Sequence, residues 1–379
     1  MTRRERLLAT LRGEAVDRPA VNFYEIGGFD VDPADPDELN VYNDPSWRPL
    51  LDLAEEHTDL IRMRHPVLRP AEGNRRDEFF RNETWTKDGS RFRRTTLTVA
   101  GREMSSLARR DPDMHTVWQV EHLLKDTDDL RAYLELPEEV FDYDVDVTGL
   151  WAADEAVADR GIVMADTGDP ICEAAPLFSM ADFTVVALTE QRLFHRLLAK
   201  LARPLWQRTE KVAAAFPGHL WRIYGPEYAT EPYLPPALFE EYVVGYTTPM
   251  VEAIHRHGGT VRLHCHGRIR AALPQIAAMG SDAIDPIEPP PLGDVELADV
   301  RREYGRRLAL FGNIEIRDVE QLPPAAFERV AAKALRDGTA GEGRGFVLMP
   351  TACPCGRNVS PRTLANYRTM VRLAAGRDA

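Results

Sequence analysis

The sequence predicts an α/β protein: a (β/α)8 TIM barrel with an N-terminal helix and an inserted β-hairpin, as one domain over residues 1–379. Three observations predict it. From about residue 150, short apolar runs alternate with long amphipathic stretches, as strands and helices do around a parallel sheet. Eight such runs can be counted in roughly 350 residues, the size of a barrel with an insertion. No Gly-rich phosphate loop follows the first strand, which weakens the competing arrangement, an open doubly wound sheet.

The elements follow in order. Thr2 and Glu5 form the pattern of a capping box, opening a helix with Leu7, Leu8 and Leu11 on one face. "AVNFYE" is the first strand and "LIRMRHP" the second. An insertion of about 75–118 comes next. Within it "ETWTKDGSRFRRTTLTVAGREMSS" alternates apolar and polar residues around Asp88-Gly89, so a hairpin is expected over 83–103. The remaining strands are "GIVMADTG", "LWRIYGPEY", "TVRLHCHG", "DAIDPI", "RLALFGNIE" and "GFVLMPTA". Helical segments such as "PPALFEEYVVGYTTPMVEAIHRHG" lie between them and close on Gly258-Gly259 and Gly280.

Composition narrows the function. A net charge of −13 argues against nucleic acid and anionic membrane as partners, because both want a basic face. Four cysteines (Cys172, Cys265, Cys353, Cys355) are too few for a disulfide framework. No apolar run reaches the length of a membrane span, and the first residues lack the apolar core of a signal peptide. A cytoplasmic protein acting on a small molecule is expected, with its thiols reduced.

In such a barrel the site lies at the C-terminal ends of the strands, and here those ends are polar. They carry Asp166 and Asp169, Glu227 and Tyr228, His264 and His266, Asp285 and Glu288, Asn313 and Glu315, and Cys353 and Cys355. Side chains alternate along a strand, so His264 and His266 point one way and Cys265 the other, into the helix layer. Two imidazoles at i and i+2 can share a metal. Cys353 is the candidate third ligand, with Cys355 in reserve, leaving an open position. Without a metal, the same histidines would hydrogen-bond a carbonyl or a substrate carboxylate. Glu227 and Asp166 are candidate catalytic acids, and Tyr24, Asp169, Tyr228, Glu288 and Asn313 candidate substrate contacts. For the acids after the strands, a helix N-cap or a rim salt bridge is the competing role. Cys172 is assigned to packing.

Four segments, in this order, resemble the uroporphyrinogen decarboxylase superfamily over nearly the whole chain: "ERLLATLRGEAVDRPAVNF", "EAIHRHGGTVRLHCHGRI", "DPIEPPPLGDVELADVRREYGRRLALFGNIEI" and "FVLMPTACPCGRNVSPRTLANYRTMV". The resemblance implies a (β/α)8 barrel. True decarboxylases of that superfamily carry an Arg-rich "MRQAGR"-type segment after the first strand, where this chain has "NFYEIGGF". The chain is closer to the cobalamin-linked methyltransferase branch, whose motif is His-x-Cys on the fifth strand and a later Cys. His264 matches the first position, His266 stands in the Cys position, and Cys353 matches the later Cys. The resemblance thus implies zinc at His264, His266 and Cys353, and methyl transfer between a corrinoid, free or on a separate protein, and a small acceptor such as a thiol. Exchanging thiolate for imidazole keeps zinc competence but makes the site less electron-rich and more open to other metals. Two alternatives stand beside this: a metal-free decarboxylase or lyase acting on a carboxylated substrate, and a non-catalytic corrinoid- or tetrapyrrole-binding protein.

Overall fold

A computed structural model of the chain describes residues 1–376. Eight parallel strands form one curled sheet. They are β1 (Ala20–Val21), β2 (Leu60–Arg64), β3 (Gly161–Gly168), β4 (Leu220–Tyr224), β5 (Thr260–His264), β6 (Ala283–Asp285), β7 (Ala309–Ile314) and β8 (Phe346–Pro350). Neighbours run in chain order from β2 to β8, and β8 then pairs with β1. The two edge strands meet at Asp59. Its amide donates to the Val21 carbonyl at 2.8 Å, and its carboxylate accepts from the Val21 amide at 2.9 Å. Asp59 is fully buried, and Arg6 (2.7 Å) and Arg18 (2.8 Å) supply its counter-charge.

Strand alternation builds two cores. One face of the sheet carries Ala20, Ile61, Met63, Ile162, Met164, Leu220, Phe311, Val347 and Met349, which pack together inside the curl. The opposite positions, among them Val163, Ala165, Ile223, Leu263 and Leu348, join the larger core beneath the helices. The N-terminal helix Arg3–Arg12 has its capping box, with Thr2 Oγ1 accepting from the Glu5 amide and Glu5 reaching back to Thr2. Its Leu7 and Leu11 belong to the inner core, so the helix stoppers that end of the curled sheet. Burying two such leucines is worth about 1.5–3 kcal/mol each.

The excursion between β2 and β3 is larger than a hairpin. It contains a four-stranded antiparallel sheet: Phe80–Lys87, Ser90–Val99, Arg102–Arg110 and Val117–Glu121. The first turn is at Asp88-Gly89, with φ of 51° and 77°. The second is at Ala100-Gly101, with φ of 52° and 76°. A positive φ at alanine is uncommon, which is why only the first turn was legible. Val67–Pro70 pairs with Tyr143–Asp146 at the base of the excursion. Among the described residues no single helix is long and apolar enough to cross a membrane.

Candidate functional site

The inward register turns polar as each strand reaches the C-terminal end of the sheet. Ile162 and Met164 are followed by Asp166, Leu220 by Arg222, Arg262 by His264, and Ala283 by Asp285. Cross-strand register then fixes the partners. Asp166 stands opposite Arg222, and His264 opposite Asp285. Arg222 donates to Asp166 through Nε (2.6 Å) and Nη2 (2.8 Å), a bidentate pair with both side chains buried. Its Nη1 donates to the Tyr24 hydroxyl. Tyr24 sits on a left-handed turn (φ 58°) whose amide donates to Asn22 Oδ1 at 2.7 Å. Its hydroxyl lies 3.4 Å from His264 Nδ1, and burial keeps it protonated. Arg262, also buried, faces Asp285 Oδ1 at 3.0 Å, but off the hydrogen-bond direction, so its Nε and Nη2 are unpartnered.

Above this layer the two histidines are held alike. His264 Nδ1 donates to Asp285 Oδ2 at 2.8 Å, and His266 Nδ1 to Glu288 Oε1 at 2.8 Å. The Gly267 amide fixes the other Glu288 oxygen at 2.6 Å. A carboxylate partner places the proton on Nδ1, so the neutral rings keep a lone pair on Nε2. Neither Nε2 makes a hydrogen bond among the described residues. The ring centroids are 4.5 Å apart and nearly perpendicular, at 88°. Burial lowers the His264 pKa despite Asp285. Burial also pulls on His266, but its hydrogen bond to Glu288 and the charges of Glu288 and Glu227 outweigh that and raise it. Asp285 is pushed the other way: Arg262 and His264 overcome its burial and bring it to about 2.

Two further carboxylates act on this pair. Glu227 Oε2 and Glu315 Oε1 are buried without a hydrogen-bond partner. Burial, with the charges of Glu288 and Asp318, pushes Glu315 up to about 7. Asn313 is half-buried at the end of β7. The Tyr228 ring stands edge-on to Phe183 at 6.1 Å, and burial lifts its pKa to about 12.

Residues 120–374 match the family model described as uroporphyrinogen decarboxylase (URO-D). The chain belongs to the uroporphyrinogen decarboxylase family. Among solved structures, a methyltransferase from Methanosarcina mazei superposes over 99% of both chains, with a TM-score of 0.60 at 16% identity. D-psicose 3-epimerase, solved in the presence of D-fructose, is matched over 65% of this chain and 87% of its own, with a TM-score of 0.32 at 12% identity. No curated protein sequence matches the chain.

In this uroporphyrinogen decarboxylase family member several expected site residues have other partners. Asp166 is not a free acid, because both its oxygens are held by Arg222; His65 Nε2 also stands 3.5 Å away. Asp169 is fully buried. It caps the helix Pro170–Ala174 by accepting from the Cys172 amide at 2.8 Å, and it also accepts from Thr247. Glu288 orients His266. Cys265 faces the helix-side core, and Cys172 packs against Gly225. Cys353 Sγ donates to Glu25 Oε2 at 2.6 Å, and burial and that carboxylate raise its pKa well above the usual thiol range.

The donor set fits a zinc ion in part. Both imidazoles have the anchored Nδ1 and open Nε2 that metal-binding histidines show. The thiol, however, is engaged by Glu25. Among the described residues no three His, Cys, Asp or Glu side chains stand together in a metal-holding group. The sequence reading missed Arg222, Arg262 and Glu25. The inward register of β4 and β5, counted back by two from Tyr224 and His264, carried the signal for the two arginines.

Proposed function

We propose that the chain is a methyltransferase of the uroporphyrinogen decarboxylase family, moving a methyl group between a corrinoid and a small acceptor such as a thiol. The corrinoid would be free or on a separate protein. The observation that carries this reading is the pair of imidazoles on and after β5, each fixed at Nδ1 by its own carboxylate with Nε2 left open. Metal-ligating histidines almost always give their second ring nitrogen to such a partner. Zinc held by His264 and His266 would polarise a bound thiol, so that it attacks as thiolate at neutral pH.

The chain's own groups supply the rest. Burial holds His264 neutral, as a ligand must be. Cys353, with Cys355 in reserve, is the third donor on this reading. Its proton already points at Glu25 Oε2, the group that would take it. Glu315, poised near neutrality with Oε1 unpartnered, can accept the proton of the incoming acceptor; Glu227 Oε2 is the other open acceptor. Tyr24, Tyr228 and the Asn313 amide are the substrate contacts. The Methanosarcina mazei methyltransferase, which shares the fold, supports the reaction class by its name. Decarboxylation of a polycarboxylate would need free cations at the mouth, and Arg222 and Arg262 each face an aspartate instead.

The test is metal analysis of the purified protein together with demethylation of methylcobalamin by a thiol, followed by absorbance. About one zinc per chain is expected, as three protein ligands require. His264→Ala with His266→Ala should lose both the metal and the methyl transfer while keeping the far-UV dichroism of the parent. A metal-free protein with full activity refutes the reading.

A further inference from the structure

A cavity of about 720 Å³ lies away from the barrel mouth, between the inserted sheet and the helix Gln191–Ala215. It is on the helix side of β3. Arg208, in its wall, donates through Nη2 to Thr167 Oγ1 at 3.1 Å, and Thr167 alternates with the inward-facing Asp166. The volume is that of a small-molecule site. Phe80, Leu123, Tyr133, Phe141, Leu177 and Leu205 give it an apolar body.

Its charges are unusual for a chain with a net charge of −13. Arg76, Arg208 and Lys211 face the cavity, and none forms an ion pair among the described residues. Arg76 lies over the Phe80 ring at 4.1 Å, and Lys211 Nζ reaches only the Tyr143 carbonyl, at 3.3 Å. The opposing acids are Asp142 and Glu173. Burial raises the Glu173 pKa against the pull of Arg208, which weakens its claim to a full negative charge. Three cations against at most two anions leave room for about one more negative charge, and an Arg fork beside a Lys matches a carboxylate.

We propose that this cavity is a second binding site, for an organic monoacid with an apolar or aromatic body and a single carboxylate. The body fills the space between Phe80, Tyr133 and Leu205, and the carboxylate meets Arg208 and Lys211. None of its lining residues belongs to the site at the mouth.

Calorimetric titration with 2-naphthoate and its neutral counterpart 2-naphthamide tests it. Saturable 1:1 binding of 2-naphthoate is expected, with the amide weaker by about tenfold or more, the loss of one charge-assisted contact. Arg208→Met with Lys211→Met should bring naphthoate down to the level of the amide. Ser106→Trp, which fills the cavity from the sheet wall and removes no charge, should abolish binding of both. His264→Ala, at the mouth, should leave this binding unchanged. Far-UV dichroism and the unfolding midpoint establish that each variant is folded. No saturable binding, equal binding of acid and amide, survival in Ser106→Trp, or loss in His264→Ala would each overturn the proposal.

Discussion

Replacing Asp166 separates a structural from a catalytic carboxylate. Asp166 is 4% exposed and Arg222 7%, and the two share hydrogen bonds of 2.6 and 2.8 Å. Asp166→Asn keeps the shape but removes the charge and turns an amide N–H toward Arg222 Nη2. The guanidinium is then buried without its main counter-ion. Leaving one member of a buried pair alone costs about 3–5 kcal/mol. Asp285, whose charge also reaches Arg222, holds the effect toward the lower end. Removing both charges, as Asp166→Leu with Arg222→Met, should return stability to within about 1 kcal/mol of the parent, because an apolar pair of similar volume replaces a buried ion pair at little cost. Asp166→Leu and Arg222→Met alone should each cost at least about 3 kcal/mol, so the coupling read from that cycle is about 5 kcal/mol or more in magnitude. Urea unfolding followed by tryptophan fluorescence measures it. Turnover of Asp166→Asn, taken where the variant is folded, should fall by no more than about tenfold, short of the loss typical of a general acid. A variant as stable as the parent that loses about a thousandfold in turnover would refute the structural assignment and restore Asp166 as a catalytic acid.

Glu315 and the thiols give two more outcomes. The folded-state pKa of Glu315 is raised from 4.5 to about 7, so its neutral form is favoured by folding. The stability it contributes is fully present below its unfolded pKa and is lost as pH rises through about 7. Glu315→Gln should therefore gain stability relative to the parent between pH 5 and pH 8, and a difference in melting temperature that is flat over that window contradicts the assignment. Cys353, its pKa raised by burial and by Glu25, and Cys265, raised by burial, should resist iodoacetamide in the folded protein at pH 8. Glu25→Gln should quicken alkylation of Cys353 alone, as mass spectrometry of peptides would report.

Period and punctuation carried most of the fold. The strand runs were legible because β3 to β8 are continuous apolar segments between amphipathic helices, and "GIVMADTG" coincides with β3, Gly161–Gly168. The same period of two placed His264 and His266 on one side and Cys265 on the other. What it could not give was the partner across the sheet. Asp166 looked like a free acid because Arg222 lies in the middle of "LWRIYG", inside an apolar strand, and only register brings the two together. Asp169 looked like a mouth residue, but the turn to Pro170 makes it a helix cap. Cys353 is drawn to Glu25, 328 positions away, a contact that no local spacing encodes. The inserted sheet reads as one hairpin in the sequence because Ala100-Gly101 lacks the Asn or Asp that announces such a turn.

The sheet order carries a consequence for how the chain is made. β1, only two residues long, has its ladder partner in β8, through Ala20 with Val347 and Val21 with Leu348. On the ribosome, at about 5–20 residues per second, that partner emerges on the order of tens of seconds after β1. Through that delay the nascent β1 has the N-terminal helix, Asp59 and its arginines as partners, whose contacts close within the first sixty residues. The buried Asp59 cluster is thus a clasp for the growing chain, keeping β1 in place until β8 arrives to pair with it.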